Sequence, residues 1–156
     1  MDIKAVLTGH DLFALLSPEE VTWVSGLSSE KRFRKGEIIY RKDTPTSHFF
    51  VVLEGEVKLR LPGTRDRLDF AVSKLRKGEL FGLSPVLGFE RYTVTAVAES
   101  DTTLLAIEAQ PFLAGLKADP VVSSAFLAAV LRTYYARYLN LLKTLQGVAT
   151  QLLVGE

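Results

Sequence analysis

The sequence has 156 residues, of which 47% are hydrophobic and 24% charged, and its formal net charge is +1. These values are typical of one globular domain that is long enough to bury a substantial core. The nearly balanced charge argues against nucleic-acid binding by this chain alone, which needs a clustered basic face. The absence of cysteine excludes disulfides and cysteine-ligated metal sites.

The N-terminal region predicts helices. Ser17 suits an N-cap, Pro18 suits the first helical position, and Glu20 completes a capping box for a helix that ends at Gly26. The chain does not open on a basic segment followed by an apolar one, and no apolar run approaches the roughly 20 residues of a spanning helix. We therefore expect a cytoplasmic protein without membrane contact.

The central region has the two-residue period of β-strands. Gly55 predicts a turn or bulge, and Pro62 with Gly63 predicts a tight turn. No crossover helices separate the strands, so they are expected to be antiparallel. The pattern predicts a mainly β fold with flanking helices, an antiparallel jelly-roll barrel. The predicted strands are 37–40, 49–53, 57–61, 68–72, 92–97 and 102–107.

The C-terminal region is predicted to be helical again. A short helix at 111–116 precedes a long helix that begins with Asp119 as N-cap and Pro120 at the first position. Gly147 predicts fraying or an end of this helix, because glycine costs about 1 kcal/mol relative to alanine. Arg132, Arg137 and Lys143 are interpreted as its solvated face.

An apolar seam of heptad spacing runs along this long helix. A helix of roughly 50 Å is longer than a small barrel can cover, and soluble monomers rarely expose such a patch. We therefore predict a parallel homodimer, with intramolecular packing as the alternative. The segments are then 1–30 (helical), 31–109 (barrel) and 110–156 (helices), all in one structural domain. The predicted dimer interface comprises Leu131, Tyr134, Tyr138, Leu141, Leu145 and Val148, and the seam continues to Leu152.

Several motifs in this order carry a family resemblance. Phe33-x-Lys-Gly-Glu-Ile-Ile, the segment 48–58, Lys77-Gly-Glu-Leu-Phe-Gly and Tyr92-Thr-Val-Thr-Ala-Val-Ala are all present. The chain resembles the effector domain of the CRP/FNR family of bacterial transcription regulators, and more broadly the cyclic-nucleotide-binding domain. The resemblance implies a ligand-sensing, non-enzymatic domain. It also implies that DNA is bound only through a winged helix-turn-helix, which this chain does not contain.

The resemblance places the phosphate-binding cassette of the family at 77–107. In the family a Gly-Glu pair holds the ribose hydroxyl, and the matching pair here is Gly82-Leu83. The family's arginine against the cyclic phosphate is matched by Tyr92. Leucine cannot accept a hydrogen bond, and tyrosine lacks the charged fork of arginine. Cyclic AMP and cyclic GMP are the ligands implied, but these replacements argue against tight binding of either one.

Further positions follow from the same resemblance. A register shift could bring Glu79 or Arg91 into the missing roles. Ser84 with Pro85 is predicted to cap the short helix of the cassette, and the amides after it would favour an anion. The remaining candidate ligand contacts are Thr93 in the cassette, and Arg137 and Tyr138 where the family's long helix reads the base; for Tyr138, dimer packing is the competing interpretation.

Catalytic and metal sites are not predicted. The two histidines, His10 and His48, do not have metal-ligand spacing, and no nucleophile motif is present. Two functions remain open. One is the ligand-sensing domain of a CRP/FNR-type regulator, either as a fragment of a longer protein or free-standing. The other is a stand-alone dimerisation module with a degenerate pocket.

Overall fold

The N-terminal segment of the computed structural model, which describes residues 1–63 and 70–155, is helical as predicted. It contains α1 (Ile3–Thr8), a 3₁₀ turn (Asp11–Phe13) and α2 (Pro18–Gly26). The capping box is confirmed. The Glu20 N–H donates to the Ser17 hydroxyl at 3.2 Å, and the Ser17 N–H donates to the Glu20 carboxylate at 2.7 Å.

Residues 1–63 and 70–155 contain eight antiparallel strands. They are β1 (Ser28–Phe33), β2 (Ile38–Tyr40), β3 (His48–Glu54), β4 (Val57–Leu61), β5 (Phe70–Leu75), β6 (Leu80–Phe81), β7 (Thr95–Ala98) and β8 (Thr102–Glu108). They form two four-stranded sheets, in the orders β1-β8-β3-β6 and β2-β7-β4-β5. In the part of the chain that is described, the sheets stay separate, so a closed barrel is not confirmed and the arrangement is a sandwich.

Three strands differ from the predicted list, and the first of them is the two-residue β6, which the list does not contain. β1 was not predicted, because it is an edge strand of polar and charged residues that pairs through its backbone with β8 alone. The strand predicted from Tyr92 begins only at Thr95. The Tyr92 N–H donates to the Thr44 carbonyl and the Asp43 N–H donates to the Tyr92 carbonyl, so a loop holds Tyr92 in place. The turn predicted after Gly63 and the start of the strand 68–72 lie outside the described residues.

Strand β3 divides the core into two clusters, because its alternate side chains face opposite sides of the first sheet. Phe49 packs toward the helices, where its ring centroid lies 5.0 Å from that of Phe112, and Phe112 lies 4.9 Å from Phe126. Phe50 instead belongs to a cluster between the two sheets, which includes Leu59. The second cluster occupies the interior of the sandwich, where the family resemblance places a ligand.

The C-terminal helices are α3 (Ala109–Leu116) and α4 (Pro120–Val154). Asp119 caps α4 as predicted, accepting from the N–H groups of Val121 and Val122. The prediction that Gly147 ends or frays the helix is wrong, since α4 continues for 35 residues. One exposed glycine costs only about 1 kcal/mol, which the helical residues on both sides of it offset.

Helix α4 is packed on the domain only through its first half. Val122, Phe126 and Val130 are buried, whereas Leu131 is 71% exposed and Leu145 is 58% exposed. The exposed apolar face therefore lies where the heptad seam was predicted. None of the helices within 1–63 and 70–155 combines the length and the apolar character that a membrane crossing requires.

Candidate ligand-binding site

The cassette predicted at 77–107 contains β6, a tight turn at Gly82 and a 3₁₀ turn at Ser84–Leu87. Gly82 makes the turn with a φ of 69°, and a Cβ at this position would lie 2.9 Å from the Phe50 ring. Glycine is therefore required both by the backbone conformation and by the close packing. The predicted capping role of Ser84 is wrong. Leu83 occupies the N-cap position, no side chain caps the turn, and Ser84 is buried.

Leu83 points into the protein. Its side chain is only 1% exposed and belongs to the apolar cluster that the first sheet forms with the helices, together with Val86 and Phe126. A carboxylate at this position would need to be solvated or paired, since an isolated buried charge is very costly. The local surroundings are thus adapted to leucine and not to the family's glutamate.

Tyr92 is integrated into the fold in a similar way. Its side chain is 4% exposed, and its hydroxyl donates to the His48 carbonyl at 2.7 Å. The same hydroxyl accepts from the N–H groups of His48 and Ser47 at 3.3 Å and 3.4 Å. The phenol therefore joins the cassette to the start of β3 through hydrogen bonds within the chain.

Aromatic rings fill the interior of the sandwich next to Tyr92. The ring of Tyr40 stacks on Tyr92 with centroids 3.9 Å apart, and Phe50 lies 5.1 Å from Phe81. Burial raises the pKa of Tyr40 far above its ordinary value, and Tyr92 adds to that rise. The space between the two sheets is thus occupied by side chains of the domain itself.

The two residues that a register shift could bring into play, Glu79 and Arg91, form hydrogen bonds with backbone groups of the chain. Arg91 is exposed, and its guanidinium donates to the Asp43 carbonyl. The Glu79 carboxylate accepts from the Arg76 N–H at 2.6 Å. Thr93 is exposed as well. The structure therefore does not bring Glu79, Arg91 and Thr93 together around one ligand position.

The two candidate ligand contacts on α4 have different surroundings. Tyr138 is 53% exposed on the outer face of the helix. Arg137 is half-buried, and its guanidinium donates to the Leu80 carbonyl on β6, so the prediction that it belongs to a solvated face is wrong. Burial lowers the pKa of Arg137, while Tyr134, Tyr40 and Glu79 oppose that effect. Arg137 therefore connects α4 to β6.

A cleft of about 1020 Å³ opens beside this contact. Its walls come from β5, residues 78–80, the N-terminal 3₁₀ turn and one face of α4, with Lys58 and Glu99 also lining it. The sequence did not predict this cleft, because segments from across the chain build it and no motif marks it. The available signal was the family resemblance, which named Arg137 as a candidate ligand contact on the long helix. No cluster of three or more metal-ligating side chains occurs among the described residues.

The site is thus a glycine turn after β6 in a two-sheet sandwich that a long C-terminal helix flanks. The family model described as the cyclic nucleotide-binding domain matches residues 30–119. The chain therefore belongs to the cyclic nucleotide-binding domain family, and the resemblance seen in the sequence is confirmed at this level.

Relatives of known structure or name agree with the assignment. The chain is 29% identical to the cyclic AMP receptor protein of Thermus thermophilus over 81% of its own length and 58% of that protein. The N-terminal domain of a transcriptional regulator from Streptomyces coelicolor A3(2) matches with a TM-score of 0.65 and 26% identity, over 87% of this chain and 94% of that one. The sensor domain of the transcriptional regulator DNR from Pseudomonas aeruginosa shares the fold, with a TM-score of 0.71 and 22% identity over 83% and 91%.

Proposed function

We propose that this chain is a ligand-sensing domain of a CRP/FNR-type transcription regulator that dimerises through α4 and does not use the usual cyclic-nucleotide contacts. In this proposal the paired long helices have two arrangements, and the ligand binds the domain more tightly in one of them. Ligand binding would therefore shift the equilibrium toward that arrangement. The names of the matched relatives, a cyclic AMP receptor protein and two transcriptional regulators, support the regulatory part of this proposal.

The observation that carries the second part is the burial of Tyr92 in the position matched to the family's arginine. Its hydroxyl is satisfied by the backbone of Ser47 and His48, and its ring is stacked on Tyr40. A cyclic phosphate at this position would meet a neutral group that is already hydrogen-bonded. With Leu83 also buried, the residues present do not fit the ribose and phosphate of a cyclic nucleotide.

Calorimetry with cyclic AMP and cyclic GMP tests this part. We expect no saturable heat at micromolar nucleotide for the wild-type chain. Charge-assisted hydrogen bonds are about twice as strong as neutral ones, so losing both contacts weakens binding substantially. Micromolar binding of either nucleotide would show that the interpretation of Leu83 and Tyr92 is wrong.

Dimerisation is tested on the exposed apolar face of α4. We expect the wild-type chain to be a dimer at tens of micromolar by light scattering coupled to size exclusion. Leu145→Glu should give a monomer, because it places a charge in the predicted seam, where the leucine is 58% exposed in the single chain. Lys143→Glu, at an exposed position of the same helix outside the predicted seam, should leave the dimer intact. A monomeric wild-type chain would contradict the seam.

The regulatory role is tested by joining the chain to the DNA-binding half of a CRP/FNR-type regulator and measuring a reporter gene. We expect operator-dependent regulation that Leu145→Glu abolishes and Lys143→Glu preserves. A hybrid that binds its operator equally well with and without an intact seam would contradict a role for α4 in regulation.

The second candidate function is an interaction module without a small-molecule ligand. The aromatic filling of the sandwich by Tyr40, Phe50, Phe81 and Tyr92 favours it, since these rings leave the usual pocket occupied. This candidate predicts a hybrid regulator whose reporter output does not change with any metabolite extract. A reproducible response to extract would favour the ligand-sensing function.

A further inference from the structure

Arg137 carries a positive charge into the wall of the cleft. The side chain is half-buried, and burial lowers the pKa of its guanidinium, so the surroundings disfavour the charge. The contact that the structure gives it is the carbonyl of Leu80, a neutral acceptor. A guanidinium has five N–H donors, and one carbonyl satisfies only part of this capacity.

No carboxylate lies within ion-pair distance of Arg137 among residues 1–63 and 70–155. The Glu79 carboxylate accepts from the Arg76 N–H, and its charge acts on Arg137 from beyond ion-pair distance. A partly buried charge whose opposite charge is not in contact with it is only partly compensated, and an anion in direct contact offsets more of the cost. Arg137 therefore has the properties of a group that completes its interactions with an anion from outside the chain.

The rest of the cleft matches an organic anion. Four cationic side chains and three acidic ones line it, so its lining is slightly positive: Lys58, Lys74, Arg132 and Arg137 against Asp11, Glu79 and Glu99. The Lys74 Nζ lies 3.8 Å from a Glu56 carboxylate oxygen and 3.9 Å from one of Glu99, so Lys74 is already paired. Apolar side chains complete the walls, among them Leu12, Leu15 and Val72. Its volume of about 1020 Å³ is in the range of small-molecule sites and far exceeds what a bare ion fills.

We propose that the cleft between β5 and α4 binds a small organic anion that carries a carboxylate or phosphate group, with Arg137 as its anchoring residue. This inference rests on the proposed ligand-sensing function and names the ligand class and the site. Arg137 on α4 then binds the negative charge of the ligand. The cassette does not contribute to this charge recognition, because Tyr92 is neutral.

The position of Arg137 also links binding to the long helix. Its guanidinium connects α4 to the backbone of β6, at Leu80. A carboxylate or phosphate is a stronger partner for guanidinium than a neutral carbonyl. A bound anion therefore competes with the Leu80 carbonyl for the same donors and alters the contact between α4 and the cassette.

The probes for the test are citrate and inorganic pyrophosphate, titrated at constant ionic strength against the full chain. Wild type should bind at least one of them saturably at millimolar or lower concentration by calorimetry. Arg137→Gln should weaken this binding by roughly tenfold to a hundredfold, the loss expected for charged hydrogen bonds. Arg137→Lys should bind with intermediate affinity, because it keeps the charge but not the fork. Lys143→Gln, which removes one charge from an exposed position of α4 outside the cleft, should bind like wild type.

A second measurement covers the case in which Arg137→Gln does not fold. In ¹⁵N-arginine NMR of the wild-type chain, the probe that binds should shift the side-chain Nε–H signal of Arg137. Binding by Arg137→Gln that equals wild type would overturn the proposal, and so would an unchanged Arg137 signal at saturating probe.

Failure of this inference can be distinguished from failure of the proposed function. A chain that ignores both probes but whose hybrid regulator responds to extract keeps the ligand-sensing function and loses the anion site. Conversely, cyclic AMP that binds tightly and depends on Arg137 would support the anion site and contradict the proposed weakness toward cyclic nucleotides.

Discussion

Replacing Leu83 with glutamate tests whether this position faces protein or ligand. The substitution restores the residue that the family uses to hold the ribose hydroxyl. In this structure, however, it places a carboxyl group in an apolar cluster where the leucine is 1% exposed. We therefore expect a large loss of stability and no gain in nucleotide binding.

The expected loss of stability has two contributions, one from burying a neutral polar group and one from the charge of the carboxylate. Burying a polar group without a hydrogen-bond partner costs about 1–3 kcal/mol in protein mutational data, and Leu83→Gln measures this part. A buried glutamate keeps its proton in the folded state and releases it on unfolding, so its pKa is raised by folding. Stability is then lost as the pH rises above the ordinary pKa of glutamate. The loss is about 1.4 kcal/mol per pH unit, or about 2.7 kcal/mol between pH 5 and pH 7.

Urea unfolding followed by the fluorescence of Trp23 provides the assay. Trp23 is the only tryptophan in the sequence, and it stacks on Phe112 in the same cluster as Leu83. The stability of Leu83→Glu should come closest to that of Leu83→Gln at the acidic end of this range. At neutral pH the glutamate variant should be less stable by roughly 2–3 kcal/mol, a large fraction of the total stability of a typical domain.

Two results would refute the reasoning. One is a glutamate variant as stable as the glutamine variant at neutral pH, which would mean that the carboxylate reaches water or a partner. The other is calorimetric binding of cyclic AMP by Leu83→Glu alone, which would place position 83 beside a usable nucleotide pocket despite Tyr92.

Three further predictions concern single side chains. Tyr92→Phe should lower the free energy of unfolding in urea by about 1–3 kcal/mol, because the His48 carbonyl and the N–H groups that the hydroxyl serves lose a partner; unchanged stability would show that these bonds do not matter. Gly147→Ala should stabilise the folded chain by up to about 1 kcal/mol, since α4 runs through this position and open space surrounds it. The gain should appear as a higher melting temperature and a stronger helical circular dichroism signal, and destabilisation would contradict a continuous helix. In an alkaline titration of phenolate absorbance, Tyr40 should ionise only as the chain unfolds, and Tyr40→Phe should remove that late phase. Because the unfolded chain releases this proton first, stability falls as the pH rises above the ordinary pKa of tyrosine; ionisation of Tyr40 in the folded chain would contradict its burial.

The parts of the fold that local chemistry determines were predictable from the sequence. The caps at Ser17 and Asp119 depend on hydrogen bonds within three residues, and they form as predicted. The apolar run of β3 and the alternation of β4 also correspond to strands. By contrast, β1 was missed because its stability depends on pairing with β8 from the other end of the domain, which leaves no local pattern.

The candidate site was predictable only in part, because its key contacts are long-range. The resemblance identified positions 83 and 92 as unusual, but not what these side chains contact instead. The hydroxyl of Tyr92 bonds to residues 44 and 45 positions away, and Arg137 reaches a carbonyl 57 positions away. Such pairs cannot be derived from periodicity, so the cleft and the inward position of Arg137 became visible only in the folded chain.

The burial of Leu83 and of Tyr92 in two different clusters bears on whether nucleotide binding could be recovered easily. Leu83 packs with the helices, whereas Tyr92 packs between the sheets against Tyr40. Restoring a glutamate at position 83 and an arginine at position 92 would thus disturb two separate parts of the core. Each substitution would remove apolar packing around its own position, whether or not a ligand contact were gained. Under the proposed function, nucleotide binding at the usual pocket therefore needs more than one substitution. The proposed anion site lies instead in the cleft along α4, where the Arg137 guanidinium also donates to the Leu80 carbonyl on β6.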